Sequence, residues 1–150
     1  MTNAVEKVFW SIAFPGFGQI LNGKIAKGLL FIFLEFSINV NANLNEVIIF
    51  SFTGDISQAI AKTNYEWMMF YPCVYSFAIW DAFRDAGGGK SLYSFLPTVF
   101  CAYIGTLGVT YSPFFEIFGT RLGPILLGLM GMVSGALIGW IAQAIIIRNH

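Results

Sequence analysis

One carboxylate, Glu35, lies well inside an apolar stretch of the sequence. It follows Lys27 by eight residues, which places it about 12 Å further along a helix at 1.5 Å per residue. Asn39 and Asn43 follow at four-residue steps and Glu46 comes three residues later, so these side chains share one helix face. An ionisable group deep in a bilayer is costly and is a candidate proton or cation ligand, with Asn39 as its neighbour. The alternative, which we favour, is a protonated carboxyl that holds the helices together through a hydrogen bond.

A second group of charges, Asp81, Arg84 and Asp85, is spaced at three and four residues. This spacing brings the three side chains together on one helix face. We expect them to form structural ion pairs with Lys24 or Lys27 and to fix the N-terminal segment to the rest of the chain. Two neighbouring carboxylates also suit a metal ion or a lipid headgroup, which is the weaker interpretation.

Catalytic and nucleotide-binding arrangements are poorly supported. The sequence has a single histidine, His150, which leaves no Ser-His-Asp or Cys-His set. Gly89-Lys90-Ser91 resembles the end of a phosphate-binding loop, but that pattern needs a glycine at the position of Arg84. The net charge is zero, which gives no basic field for nucleic acid. We therefore expect no enzymatic activity, no cofactor, no bound metal and no nucleic-acid partner.

The composition indicates the elements that must position these groups. Hydrophobic residues make up 57% of the 150 residues and charged residues only 11%, whereas soluble proteins have about a quarter charged. The sixteen Phe, six Tyr and four Trp suit a lipid-facing surface with rings at the membrane interface. We predict an all-α polytopic membrane helix bundle that forms one integral membrane domain, 1–150.

Four apolar stretches are predicted to cross the membrane, at 29–42, 65–83, 92–111 and 122–147. Pro72 is expected to kink the second of them. Between the first and second spans, a segment up to Lys62 is too polar for the bilayer centre. It is predicted to lie outside as a partly amphipathic helix, broken near 53–55.

The N-terminal segment, 1–28, has about ten residues before a glycine-rich turn, whereas a spanning helix needs about 20. Pro15 lacks a backbone donor and Gly16 and Gly18 tolerate positive φ, so a helix is expected to end there. We predict a re-entrant or interfacial half-helix followed by a basic anchor. The residues assigned to the turn are Pro15, Gly16, Gly18, Gln19, Asn22, Gly23 and Gly28.

This stretch resembles the bacterial variant of the TM2-domain membrane proteins. Those proteins carry a Pro-Gly-x-Gly-Gln turn, a following Asn-Gly, and a Lys-Gly before the next transmembrane helix. The matching residues are Pro15, Gly16, Gly18, Gln19, Asn22, Gly23, Lys27 and Gly28. Leu21 stands where a Tyr is usual, and the Asp-Arg-Phe turn of the eukaryotic members is absent. The resemblance covers about 30 of the 150 residues and implies a small membrane module without a shared reaction.

The last apolar stretch carries glycines near four-residue spacing, at Gly128, Gly131, Gly135 and Gly139. Small residues at this spacing let a second helix approach closely, because van der Waals contact drives helix association in lipid. The partner is expected to be a helix of the same chain, and dimerisation is the alternative. The pattern favours a non-catalytic membrane protein that acts through helix–helix contacts with membrane partners or with itself. The alternative is an oligomeric transporter or channel component that uses Glu35.

Orientation follows from the distribution of lysine and arginine, which concentrate in cytoplasmic loops. With both termini inside, two cations fall outside, Lys62 and Arg121. The six that fall inside are Lys7, Lys24, Lys27, Arg84, Lys90 and Arg148. We therefore predict a multi-pass protein of the cell membrane whose N- and C-termini are both cytoplasmic.

Overall fold

A computed structural model describes residues 3–149, and within them the protein is helical apart from one short hairpin. The elements in chain order are α1 (Ala4–Ala13), α2 (Phe17–Leu21), α3 (Ile25–Ala42), α4 (Leu44–Thr53), α5 (Ile56–Lys62), α6 (Tyr65–Met68), α7 (Tyr71–Asp85), α8 (Leu96–Tyr111), β1 (Glu116–Ile117), β2 (Thr120–Arg121) and α9 (Gly123–Arg148). The two strands pair antiparallel. The all-α prediction is confirmed.

Among residues 3–149, α3 and α9 are long and apolar enough to cross a membrane. The span predicted at 122–147 matches α9, and the one at 29–42 begins earlier, at Ile25, because the helix continues through the basic anchor. The spans predicted at 65–83 and 92–111 are not single long helices. The first is divided between α6 and α7, and the second begins only at Leu96. The structure therefore supports two of the four spans by length and composition.

Pro72 does not kink a helix, which corrects the sequence prediction. It lies in the first turn of α7, where a backbone N–H has no helical acceptor, so its missing donor has no cost. The break in the chain comes just before it, at 69–70. Pro97 lies in the first turn of α8 in the same way. Both prolines thus begin helices.

The core lies where the end of α3 meets α4, α5, α6 and α8, and its buried members are Ile38, Ala42, Leu44, Val47, Ala59, Met68 and Val109. The segment predicted to lie on the interface is therefore two helices that contribute to this core. The expected break is present, since Gly54 has a φ of +88° and the side chain of Asp55 accepts from the N–H of Gln58.

Helices α8 and α9 form an antiparallel pair. Their contact runs along the four glycines Gly128, Gly131, Gly135 and Gly139 of α9, here called the glycine ridge. A Cβ at Gly131 would lie 2.5 Å from the carbonyl oxygen of Ile104, and one at Gly139 would lie 2.5 Å from that of Leu96. Gly135 faces the carbonyl of Phe100, and a Cβ at Gly128 would lie 2.9 Å from Val109 Cγ2. The ridge packs within the chain, as favoured from the sequence. It is not open to a second copy.

Candidate functional site

The glycine-rich turn holds α2 against the start of α3. Gly16 has a φ of +107°, which an L side chain rarely adopts, and a Cβ there would lie 2.5 Å from the carbonyl oxygen of Gly28. Gly28 has the reciprocal restriction, because its own Cβ would lie 2.8 Å from the carbonyl oxygen of Gly16. Pro15 beside them is buried. These residues allow two backbones to touch where the chain reverses.

Gly18 lies where α1, α2 and α7 meet. A Cβ at this position would lie 2.6 Å from the carbonyl oxygen of Lys7 in α1 and 2.8 Å from Ala82 Cβ in α7. It would also contact the hydroxyl of Ser11. Packing therefore requires glycine at this position, because atoms of α1 and α7 already occupy the space that a Cβ would need.

Gln19 and Asn22 attach the N-terminal helices to α7. Gln19 is fully buried, and its Nε2 donates to the carbonyl oxygen of Ala78 at 2.7 Å and to Asp81 Oδ2 at 3.2 Å. Asn22 Nδ2 donates to the carbonyl oxygen of Ala82 at 2.8 Å. The sequence placed both residues in a turn but carried no signal for their acceptors, which lie about 60 residues further along the chain. These hydrogen bonds explain why the turn contains the polar residues Gln19 and Asn22.

Lys27 completes this attachment through two carboxylates of α7. Its Nζ lies 2.7 Å from Asp81 Oδ1 and 2.9 Å from Asp85 Oδ2. Lys24 and Arg84, also predicted to form ion pairs here, do not do so within residues 3–149. Lys24 is exposed, and the Arg84 guanidinium lies over the Trp80 ring at 5.4 Å from its centroid. One lysine therefore forms an ion pair with each of the two carboxylates.

The sequence assigned Lys7 to the cytoplasmic side of the membrane but did not indicate that the residue is buried in the protein. Only 1% of the residue is exposed, and its Nζ donates to the carbonyl oxygen of Leu21 at 2.9 Å, at the end of α2. Ser11 lies on the same face of α1, four residues on, and is fully buried. This i, i+4 pair of polar residues on an apolar helix was the available signal. Lys7 thus joins α1 to α2 from inside the protein.

Glu35 is 7% exposed and accepts a hydrogen bond from the Tyr71 hydroxyl at 3.2 Å on Oε1. Tyr71 stacks on Tyr75, with ring centroids 5.5 Å apart. The second carboxyl oxygen, Oε2, is buried and has no hydrogen-bond partner in the described part of the chain. Asn39 bonds to Asn45 at 3.2 Å and not to Glu35. The two candidate ligands, Glu35 and Asn39, are therefore not hydrogen-bonded to each other. The partner of Glu35 is the Tyr71 hydroxyl, which the sequence did not indicate.

The other two polar residues predicted to share a helix face with Glu35, Asn43 and Glu46, have separate roles beyond the end of α3. Asn43 adopts a φ of +57° and donates to the carbonyl oxygen of Lys62 at 2.9 Å. Glu46 lies 3.4 Å from Lys62 Nζ. These polar residues therefore do not form a continuous polar path, and Glu35 lies apart from them.

Comparison with known protein families, with curated proteins and with solved structures returns no match for the chain. The resemblance of the N-terminal turn to TM2-domain proteins accordingly stays a prediction. In residues 3–149, no cluster of three or more His, Cys, Asp or Glu is arranged to hold a metal ion. The chemistry of the site consists of a polar attachment of α1 and α2 to α7 and one isolated carboxyl, Glu35.

Proposed function

We propose that the chain is a non-catalytic, multi-pass integral membrane protein that acts through helix–helix contacts within the bilayer, with another membrane protein or a second copy. The observation that carries this proposal is the exposure of α3 and α9. Only 28% of each apolar window is buried, whereas the core helix of a soluble protein would be mostly buried. Phe33 and Trp140, on these two helices, are 65% and 63% exposed. Such surfaces are stable in lipid and costly in water.

The proposal includes four spans, with both termini cytoplasmic and with α1 and α2 at the interface or re-entrant. Its support is the alignment of α8 with α9, from Leu96 beside Gly139 to Val109 beside Gly128. A helix that follows a spanning helix over this length crosses most of the same layer. Helix α8 alone reaches about 24 Å at 1.5 Å per residue, somewhat short of a ~30 Å hydrocarbon core. Its flanking residues or a locally thinner bilayer would make up the difference.

Topology can be tested by cysteine labelling in intact cells. In a background with Cys73 and Cys101 replaced by serine, single cysteines are placed at Lys90, Asp55 and Glu116. Positions 55 and 116 should react with an impermeant maleimide from outside, and position 90 only after permeabilisation. Labelling of position 90 from outside would reject the proposed orientation.

The contact surface is expected on α3, because the glycine ridge of α9 is already occupied. The outward residues Leu29, Phe33, Phe36 and Val40 are each more than half exposed, whereas Phe31 on the opposite face is 6% exposed. A photo-crosslinking residue at Phe33 or Phe36 should give a discrete protein adduct in native membranes. The same residue at Leu137 on α9 serves as the lipid-facing control. Lipid adducts alone at all three positions would contradict a protein partner.

The second candidate is an oligomeric transporter or channel component that uses Glu35. The specific observation in its favour is the buried, unpartnered Oε2 of this carboxyl. In proteoliposomes, a proton or cation flux that Glu35→Gln abolishes, with folding unchanged, would favour transport over a structural role. Equal behaviour of the wild type and the Gln variant would reject it.

A further inference from the structure

A pocket of about 370 Å³ lies between α1, the end of α7, the start of α8 and the end of α9. Its lining includes hydrogen-bonding side chains, Ser91, Ser94, Thr98 and Gln143, here called the polar wall, and apolar side chains that include Val8 and Ile79. The pocket is separate from the attachment of α2 to α7 and from Glu35. It is therefore amphipathic, which suits a ligand with a polar end and an apolar end.

The polar wall is held in place by the segment between α7 and α8. Ser94 Oγ donates to the carbonyl oxygen of Gly89 at 2.8 Å. Gln143 Nε2, from α9, donates to Ser91 Oγ and to the carbonyl oxygen of Leu92, both at 3.1 Å. Gly89 has a φ of +63°, so the chain bends at this wall. These bonds tie the segment to α9 and define the pocket's shape.

Positive charge borders the same wall. A Cβ at Gly89 would lie 2.8 Å from Arg84 Cδ and 2.8 Å from the Trp80 ring, and both Gly89 and Trp80 line the pocket. No carboxylate in residues 3–149 lies within ion-pair distance of Arg84. The exposed Lys90 follows directly. The Arg84 guanidinium lies over the ring of Trp80, which lines the pocket. Hydroxyl donors in the pocket and a guanidinium beside it are together complementary to a phosphate.

We propose that this pocket binds the headgroup of an anionic phospholipid. The phosphate would lie between the hydroxyls of Ser91 and Thr98 and the Arg84 guanidinium, and the first carbons of the acyl chains would lie on Val8 and Ile79. In the proposed topology this end of the protein is cytoplasmic, where basic pockets between transmembrane helices meet anionic headgroups. The inference rests on the proposed membrane placement and adds a ligand to it.

The test uses the full chain, purified and delipidated in dodecyl maltoside, with bound lipid measured by native mass spectrometry. The probes are dioleoyl-phosphatidylglycerol and dioleoyl-phosphatidylcholine, with inorganic phosphate as a competitor. The wild type should bind the anionic lipid more tightly. Arg84→Gln should weaken that binding about fivefold, because one cation near a membrane surface contributes about that factor. Thr98→Val removes a hydroxyl with little change of shape and should also weaken it.

The matched control is Lys24→Gln, which removes an exposed cation that lies outside the pocket and has no ion-pair partner in residues 3–149, and it should leave the lipid affinity unchanged. Circular dichroism checks that every variant is folded. Equal affinity for the two lipids would overturn the proposal, and so would an equal loss in Lys24→Gln. Displacement of the lipid by an equal concentration of inorganic phosphate would show a free-anion site and also overturn it. Because the cysteine-labelling pattern is read separately, failure here is distinguishable from failure of the membrane placement.

Discussion

The hydrogen bond between Tyr71 and Glu35 can be measured by a double-mutant cycle with Tyr71→Phe and Glu35→Leu. Its O···O distance of 3.2 Å is long for a bond between hydroxyl and carboxyl oxygens, which have a typical range of about 2.5–3.0 Å. We therefore expect a modest coupling. Hydrogen bonds between helices in a membrane protein average about 0.6 kcal/mol and reach about 1.7 kcal/mol in such cycles. A coupling of about 0.5–1 kcal/mol is the expected result.

The single variants should differ from the double variant in the free energy of unfolding. Glu35→Leu leaves the half-buried Tyr71 hydroxyl without its acceptor and should cost about 1–3 kcal/mol. Adding Tyr71→Phe removes the orphaned hydroxyl and should recover part of that loss. Glu35→Gln retains an oxygen acceptor for Tyr71 and should be nearly silent.

Unfolding is followed by far-UV circular dichroism during titration of dodecyl maltoside micelles with sodium dodecyl sulfate. Tyr103→Phe is the matched control, since Tyr103 is 64% exposed, and it should change stability by less than about 0.5 kcal/mol. Strict additivity of the two single variants, within about 0.3 kcal/mol, would refute a structural role for this bond.

Two further predictions concern packing and attachment. Gly135→Leu should lower the thermal unfolding midpoint sharply, because a side chain at this position would overlap the Phe100 carbonyl, and overpacking costs about 1–3 kcal/mol or more. Val133→Leu, on the exposed face of the same helix, is the control. An unchanged midpoint in Gly135→Leu would contradict the described packing. Gln19→Leu removes the two hydrogen bonds that the Gln19 amide donates to α7 and should cost about 1–2 kcal/mol, seen as faster proteolytic cleavage between α1 and α3. A cleavage rate equal to that of the wild type would contradict the role of this amide.

Local pattern was sufficient for the helical class, for the breaks at the N-terminal turn and near Gly54, and for the close packing along the glycine ridge. Glycine at positive φ, such as Gly16 and Gly54, and four-residue glycine spacing act over a few residues, so the sequence displays them directly. The pairing of Asp81 and Asp85 with Lys24 or Lys27 could be predicted because opposite charges on helix faces have few other partners, and the structure selects Lys27.

The remaining features depend on contacts between distant parts of the chain. Tyr71 lies 36 residues from Glu35, and nothing in the spacing of either residue indicates the other. The burial of Lys7 was missed because a lysine at a membrane end is ordinarily read as a surface charge, while its acceptor is a backbone carbonyl without a side-chain signature. Helix lengths were overestimated at α7 and α8 because apolar composition continues through the turns that precede them.

The attachment of the N-terminal helices to α7 has a consequence for biosynthesis. Gln19 and Asn22 find their acceptors only when residues 78–82 have been made, about 60 residues later. At about 5–20 residues per second, α1 and α2 wait roughly 3–12 s on the ribosome before they can dock. During that interval the Gln19 amide has neither of its acceptors in α7, so α1 and α2 exist without this attachment.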